Sequence, residues 1–112
     1  MKQTKIFLRI DFSEDARLGP GKIALLEAVQ REGSIAGAAR QLGMGYRTAW
    51  LLIDSLNAMF GEPAVTTLPG RRDGGTEVTE FGLQLIARFH RMETLAREAI
   101  REEEVFLRGK LK

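Results

Sequence analysis

Residues 34–60, SIAGAARQLGMGYRTAWLLIDSLNAMF, constrain this chain more than any other stretch. Ile35, Ala38, Ala39 and Leu42 fall at i, i+3, i+4 and i+7, and Ala49, Leu52, Ile53, Leu56 and Phe60 repeat that kind of interval. Each set lines one face of an α-helix. Ser34 is an N-cap, because its hydroxyl can accept from a free backbone N–H of the first turn. Gly43 suits the left-handed residue that often closes a helix. Only Gly43, Met44 and Gly45 are left to join the two helices. A joint so short makes them cross steeply, as in a helix-turn-helix, and the small Ala38 and Ala39 let the backbones approach. The same pattern would also serve as a helical hairpin in another α domain, since a fold does not fix a function.

The flanking chain extends this motif on both sides. Residues 4–12 alternate, with Ile6, Leu8, Ile10 and Phe12 on one side and Lys5, Phe7, Arg9 and Asp11 on the other. That predicts a strand, which needs a partner in this chain or another. SEDARLGPG reads as a loop, and Pro20 fits the first turn of a helix over 20–32 that ends at Gly33. Beyond Phe60, AVTTL (64–68) and TEV (76–78) read as two short strands around the turn-rich PGRRDGG. Arg71 and Arg72 stand near its tip, which suits either the wing of a winged helix or an ordinary exposed loop with two solvated arginines. Thr79 caps a long helix over 80–108, about 40 Å at 1.5 Å per residue. Its apolar positions run from Leu85 through Phe89, Met92 and Ala96 to Phe106. A small three-helix core cannot cover all of them; the C-terminal half could fold back on its own domain, but no turn signal precedes Gly109, which favours pairing with a second copy. The expected fold is mainly α with a small β hairpin: a winged helix-turn-helix with an N-terminal strand and a long C-terminal dimerisation helix.

Composition narrows the function classes. The chain has 112 residues, enough for one domain with a hydrophobic core, which we take as 1–112. It has no cysteine, which excludes disulfides and thiolate metal sites and suits a reducing cytoplasm. No apolar run reaches the ~20 residues of a membrane span, and the charged N-terminus is not a secretory signal. The net charge of +2 permits nucleic-acid binding without arguing for it. His90 is the lone histidine, on a helix with no carboxylate constellation evident near it. Glycine-loop nucleotide motifs are absent. No catalytic residue, metal site or cofactor is expected.

GSIAGAARQLGMGYRTAW (33–50) and PGRRDGGTEVTEFGLQLI (69–86) together resemble the N-terminal DNA-binding domain of the molybdate-responsive ModE regulators, which is related to the LysR-type winged helix. The resemblance covers nearly the whole chain. It rests most on Gly33-Ser34-Ile35, Tyr46, Ala49-Trp50, Gly74-Gly75, Thr79 and Gly82. It implies a cytoplasmic, DNA-binding transcription regulator that binds an inverted repeat as a homodimer, through the C-terminal helix and N-terminal strand. The family's separate molybdate-binding domain has no counterpart in these residues, so no molybdate binding is expected of them. Two positions depart from the family: Gly45 stands where a small hydroxyl residue is usual, and Leu51 where a polar one is.

The expected partner is double-stranded DNA. On the second motif helix, Arg47, Leu51, Asp54 and Ala58 face outward, with Tyr46, Trp50 and Ser55 on the flanks. The N-terminal part of such a helix reaches base edges in the major groove. Arg47 suits a bidentate contact to guanine. Thr48 and Tyr46 can donate to bases or phosphates, and Leu51 offers apolar contact, for instance with a thymine methyl. Trp50 is weighed both as a contact and as a half-buried packing residue. Gly45 caps this helix. Ser34 can meet a phosphate beside free N–H groups, and Arg71 and Arg72 would reach the backbone or the minor groove. The competing reading is a winged-helix protein-interaction module without sequence-specific DNA binding.

Overall fold

The computed structural model describes residues 4–67 and 75–112. Its centre is three helices: α1 (Pro20–Glu32), α2 (Ile35–Leu42) and α3 (Tyr46–Met59). Proline at the start of α1 has no N–H of its own to leave unsatisfied, and no side chain caps the remaining first-turn N–H groups. Gly33 closes it with an N–H donated to the Val29 carbonyl at 2.8 Å. Ser34 caps α2, its Oγ accepting from the Gly37 N–H at 3.0 Å. The apolar faces of the three helices meet in a core that includes Leu25, Leu26, Val29, Ala38, Ala49 and Leu56. Burying each leucine or valine side chain here stabilises by about 1.5–3 kcal/mol, and the fully buried Leu18, Ile23 and Phe89 add to the same core.

The joint between α2 and α3 shows why the sequence turns there. Gly43 has φ 68°, which a side chain would resist. It lets the Met44 N–H reach back to the Ala39 carbonyl at 3.0 Å and the Gly43 N–H to Arg40 at 3.2 Å. These two bonds satisfy carbonyls that the helix end would otherwise leave open. Met44 tucks its side chain against the core.

A two-stranded antiparallel sheet follows, β3 (Val65–Thr67) with β4 (Thr76–Val78), Val65 opposite Val78. It is tied to the helices by backbone bonds. The Thr76 N–H donates to the Gly33 carbonyl at 3.0 Å, and the Thr79 N–H to the Ala64 carbonyl at 2.9 Å. Thr79 then caps α4 (Glu80–Ala99), accepting from the Gly82 N–H at 3.0 Å while donating to the Pro63 carbonyl at 2.8 Å. A Cβ at Gly82 would lie 2.4 Å from the Ala64 carbonyl oxygen. Only glycine lets the first turn of α4 sit this close to the strand.

Two expectations are corrected. Residues 4–12 do not form a continuous strand: only β1 (Ile10–Asp11) pairs, antiparallel with β2 (Arg17–Leu18), within the stretch read as a loop. The alternation is real in burial, since Ile6, Leu8 and Ile10 are half-buried while Lys5, Phe7 and Arg9 are exposed. Alternation reports which face is covered; it does not report whether a neighbouring strand supplies hydrogen bonds. Phe12 meets Phe60 edge-on at 6.2 Å, and Phe60 meets Phe81 at 5.3 Å, which joins this hairpin to the ends of α3 and α4.

The helix expected over 80–108 is interrupted. α4 ends at Ala99, Ile100 takes φ −97° and ψ 3°, and α5 (Arg101–Arg108) follows. Bonds from the Ile100 N–H to Ala96 (3.1 Å) and from the Glu104 N–H to Ile100 (2.8 Å) bridge the break. Thr4 donates to Glu104 at 3.0 Å and accepts from Arg108. A cleft at the joint is lined by Thr4, Ile6, Arg97, Ile100, Glu104 and Arg108. The N-terminal arm therefore packs into the angle, a tie from the other end of the chain to which helical periodicity is blind. No residue of α5 is buried, and Val105, Phe106 and Leu107 are exposed.

Candidate nucleic-acid interface

The first half of α3 is positioned by its inner face. Ala49, Ile53 and Leu56 are buried against α1 and α2. That rotation fixes what points outward: Arg47, Thr48, Leu51, Asp54 and Ala58 are all exposed. Tyr46 and Trp50 lie one turn apart, as do Arg47 and Leu51, so they form two adjacent ridges. Together the four line one shallow cleft. Tyr46 is 56%, Leu51 50% and Trp50 46% exposed. Trp50 is thus neither free nor a core residue. Its other side faces a second groove shared with Ile35, Ile53 and the β3–β4 pair.

The remaining expected residues divide. Gly45 precedes α3 with φ −68° and ψ 149°, a backbone open to any residue, and gives it no side-chain cap. A Cβ there would meet only the Thr48 Oγ1, at 4.0 Å. Ser34 is half-buried, with one acceptor position of its hydroxyl engaged by the Gly37 N–H. Among the described residues no hydrogen bond from its own O–H is found. Arg71 and Arg72 lie outside the described residues.

Asn57 was missed by sequence reasoning. Its Oδ1 accepts from the Ala64 and Val65 N–H groups at 2.9 and 3.1 Å, and its Nδ2 donates to the Val65 carbonyl at 2.9 Å. One side chain thus holds the return from α3 into β3 and keeps the small sheet in register with the outward face. The available signal was an amide in the last turn of an apolar helix, just before the GEP break.

His90 also differs from expectation, for two carboxylates flank it. Nδ1 lies 2.8 Å from Glu93, one turn on, and Nε2 2.9 Å from Glu27 of α1. Hydrogen bonds to Glu27 and then Glu93 raise its pKa above the usual 6.5. Glu27 stands sixty-three positions away in the chain, beyond the reach of any spacing argument. The cluster pins α4 onto α1. Among the described residues, no group of histidine and carboxylate side chains is placed to hold a metal, and no helix is long and apolar enough to cross a membrane.

The comparisons agree with this architecture. The chain is 47% identical over 85 residues to the molybdenum-pterin-binding protein MopA of Rhodobacter capsulatus, which covers 75% of this chain and 32% of MopA. It is 36% identical over 96 residues to the molybdenum transport protein ModE of Azotobacter vinelandii, covering 83% and 36%. The chain thus spans about a third of the length of the curated relatives it matches. Among solved structures, ArgP from Mycobacterium tuberculosis superposes with a TM-score of 0.53 at 26% identity, over 76% of this chain and 30% of ArgP. The protein chain of the CbnR_DBD–DNA complex gives 0.59 at 21% identity, over 78% and 95%, and shares the fold. Residues 21–83, more than half of the sequence, match the family described as bacterial regulatory helix-turn-helix protein, lysR family. The chain therefore belongs to the LysR family of bacterial regulatory helix-turn-helix proteins.

Proposed function

We propose that this chain is the DNA-reading part of a transcription regulator, binding an inverted-repeat operator as a homodimer. The observation that carries this is the outward face of α3. Its first turns present Tyr46, Arg47, Thr48, Trp50 and Leu51 to solvent while Ala49, Ile53 and Leu56 hold the helix in place. A helix-turn-helix offers bases that part of its second helix. The relatives' names speak of molybdenum, but only about a third of each is matched. We assign to residues 1–112 the reading of DNA and no molybdate binding. The exposed Val105, Phe106 and Leu107 support self-association through α5, since such a face costs free energy in water and a second copy would cover it.

Arg47 would read guanine, Thr48 and Ser34 would meet phosphates, and Arg71 and Arg72 would add backbone contacts. Two copies would place their α3 helices in successive major grooves about 34 Å apart. The test is enrichment of bound duplexes from a random library, then affinity for the enriched and a random duplex at several salt concentrations. Arg47→Ala should cost about 1–3 kcal/mol on the enriched site and flatten the preference at one base pair. Arg71→Ala and Arg72→Ala should weaken both duplexes and shallow the salt dependence by about one unit per contact. An unchanged ratio of specific to random affinity in Arg47→Ala removes α3 as the reading head.

A second reading has its own support. Trp50 and Leu51 present apolar surface on a chain of net charge +2, which would also suit a protein partner. Salt-insensitive, negligible binding to every duplex would favour it.

A further inference from the structure

The cleft on α3 is unusual for a DNA-facing surface in being mostly hydrocarbon. Tyr46, Arg47, Trp50 and Leu51 line it, with Leu51 half exposed and one turn after Arg47. All four belong to the helix turns that enter the major groove under the reading above, on which this inference rests.

The major groove presents each base pair as donors and acceptors, with one apolar exception, the C5 methyl of thymine. A leucine set against any other edge removes water from polar atoms and returns no hydrogen bond, which is unfavourable. A leucine against the methyl buries hydrocarbon on both sides. We propose that Leu51, with the Trp50 ring as a backstop, reads a thymine methyl in each half-site. Its position follows from Arg47. Residues four apart on a helix have Cβ atoms about 5–6 Å apart, and base pairs rise about 3.4 Å. The thymine therefore lies one or two base pairs from the guanine that Arg47 contacts. Asp54, one further turn along the outward face, is exposed and acidic. It holds phosphates away from the C-terminal half of α3 and so limits reading to the first turns.

Deoxyuridine tests this, because it differs from thymidine by the methyl alone and keeps every hydrogen bond. Each thymine of the enriched duplex is replaced in turn and affinity is measured with the 112-residue chain. One position per half-site should lose about fourfold, the worth of one buried methyl group, and both half-sites together about sixteenfold. Leu51→Ala should bind the thymine and uracil duplexes equally. Leu51→Met, which keeps the hydrocarbon, should retain most of the discrimination. Leu51 is on the surface, so neither variant endangers folding.

An enriched duplex that binds tightly but tolerates uracil everywhere overturns this inference and leaves the DNA-reading function standing. Uracil sensitivity of the same size in Leu51→Ala also overturns it, since the methyl is then read elsewhere. A library with no enriched duplex overturns both.

Discussion

Helices α3 and α5 both show large apolar side chains to solvent, and they differ in what holds them. α3 has a buried face of Ala49, Ile53 and Leu56, and Asn57 stitches its last turn to the next strand. Its exposed Tyr46, Trp50 and Leu51 therefore sit at fixed places. No residue of α5 is fully buried, though Glu104 and Arg108 are half-buried, and among its ties are the bonds across Ile100 and the polar contacts to Thr4. An exposed apolar residue on a braced helix is positioned to recognise a shape. The same residue on a helix held by polar bonds rather than by a buried face waits for something that will pack against it. Phe106, at 64%, is more exposed than Leu51, but only Leu51 stands on a helix with a buried face.

Substitution can break that contrast most directly in the helices themselves. Leu56→Ala should lower stability by about 2–5 kcal/mol, because it opens a cavity in the core. Phe106→Ala should change the stability of the dilute chain by less than about 0.5 kcal/mol and instead weaken self-association. Urea unfolding at low concentration and sedimentation equilibrium at high concentration measure the two. Equal losses of stability would mean that α5 is packed after all.

Asn57→Ala sharpens the account of α3. It leaves the N–H groups of Ala64 and Val65 without their acceptor, and should cost about 1–3 kcal/mol. Faster hydrogen exchange at those two amides, with the α1 amides unchanged, is the expected signature.

His90 marks where the braced part of the C-terminal run begins to give out. Since the folded chain holds this proton more tightly than the unfolded one, the stabilisation is full below pH about 6.5 and is lost as pH rises through the raised pKa. The side chain is half exposed, so the contribution is at most about 1 kcal/mol. His90→Gln should therefore lose urea resistance at pH 5.5 and match the unaltered chain at pH 8.5. A loss that grows with pH would show the sign to be wrong.

The smallest effect concerns the start of α3. Gly45→Ser supplies the missing cap on a backbone that accepts it, and should add a few tenths of a kcal/mol. A lower urea midpoint would show that the glycine has a steric purpose at this turn.

These two regions also show what could be read from sequence. Ser34, Gly43 and Thr79 announce helix ends through chemistry confined to three or four residues, and the apolar spacing of 34–60 announces which face is inward. Such signals are local, and the helix-turn-helix consists of little else. The outward face, with Arg47 and Leu51, follows by subtraction. The features that escaped depend on distant partners. β1 is short because its neighbour offers only Arg17 and Leu18. Asn57 matters through Ala64 and Val65, and His90 through Glu27. The break at Ile100 has neither proline nor glycine to betray it.

That break has a mechanical side. A single residue between two rods is a pivot, and α4 is a rod of about 30 Å, so a small rotation at Ile100 becomes a large sweep at the far end. Here the pivot has a brace. The arm from Thr4 to Ile10 runs from the β hairpin to α5 and fastens to Glu104 and Arg108. With α4 and α5 it closes a triangle, and a triangle holds its angles where a lone hinge does not. If α5 seats against a second copy, the gap between the two α3 helices is set by this frame, through the polar contacts to Thr4.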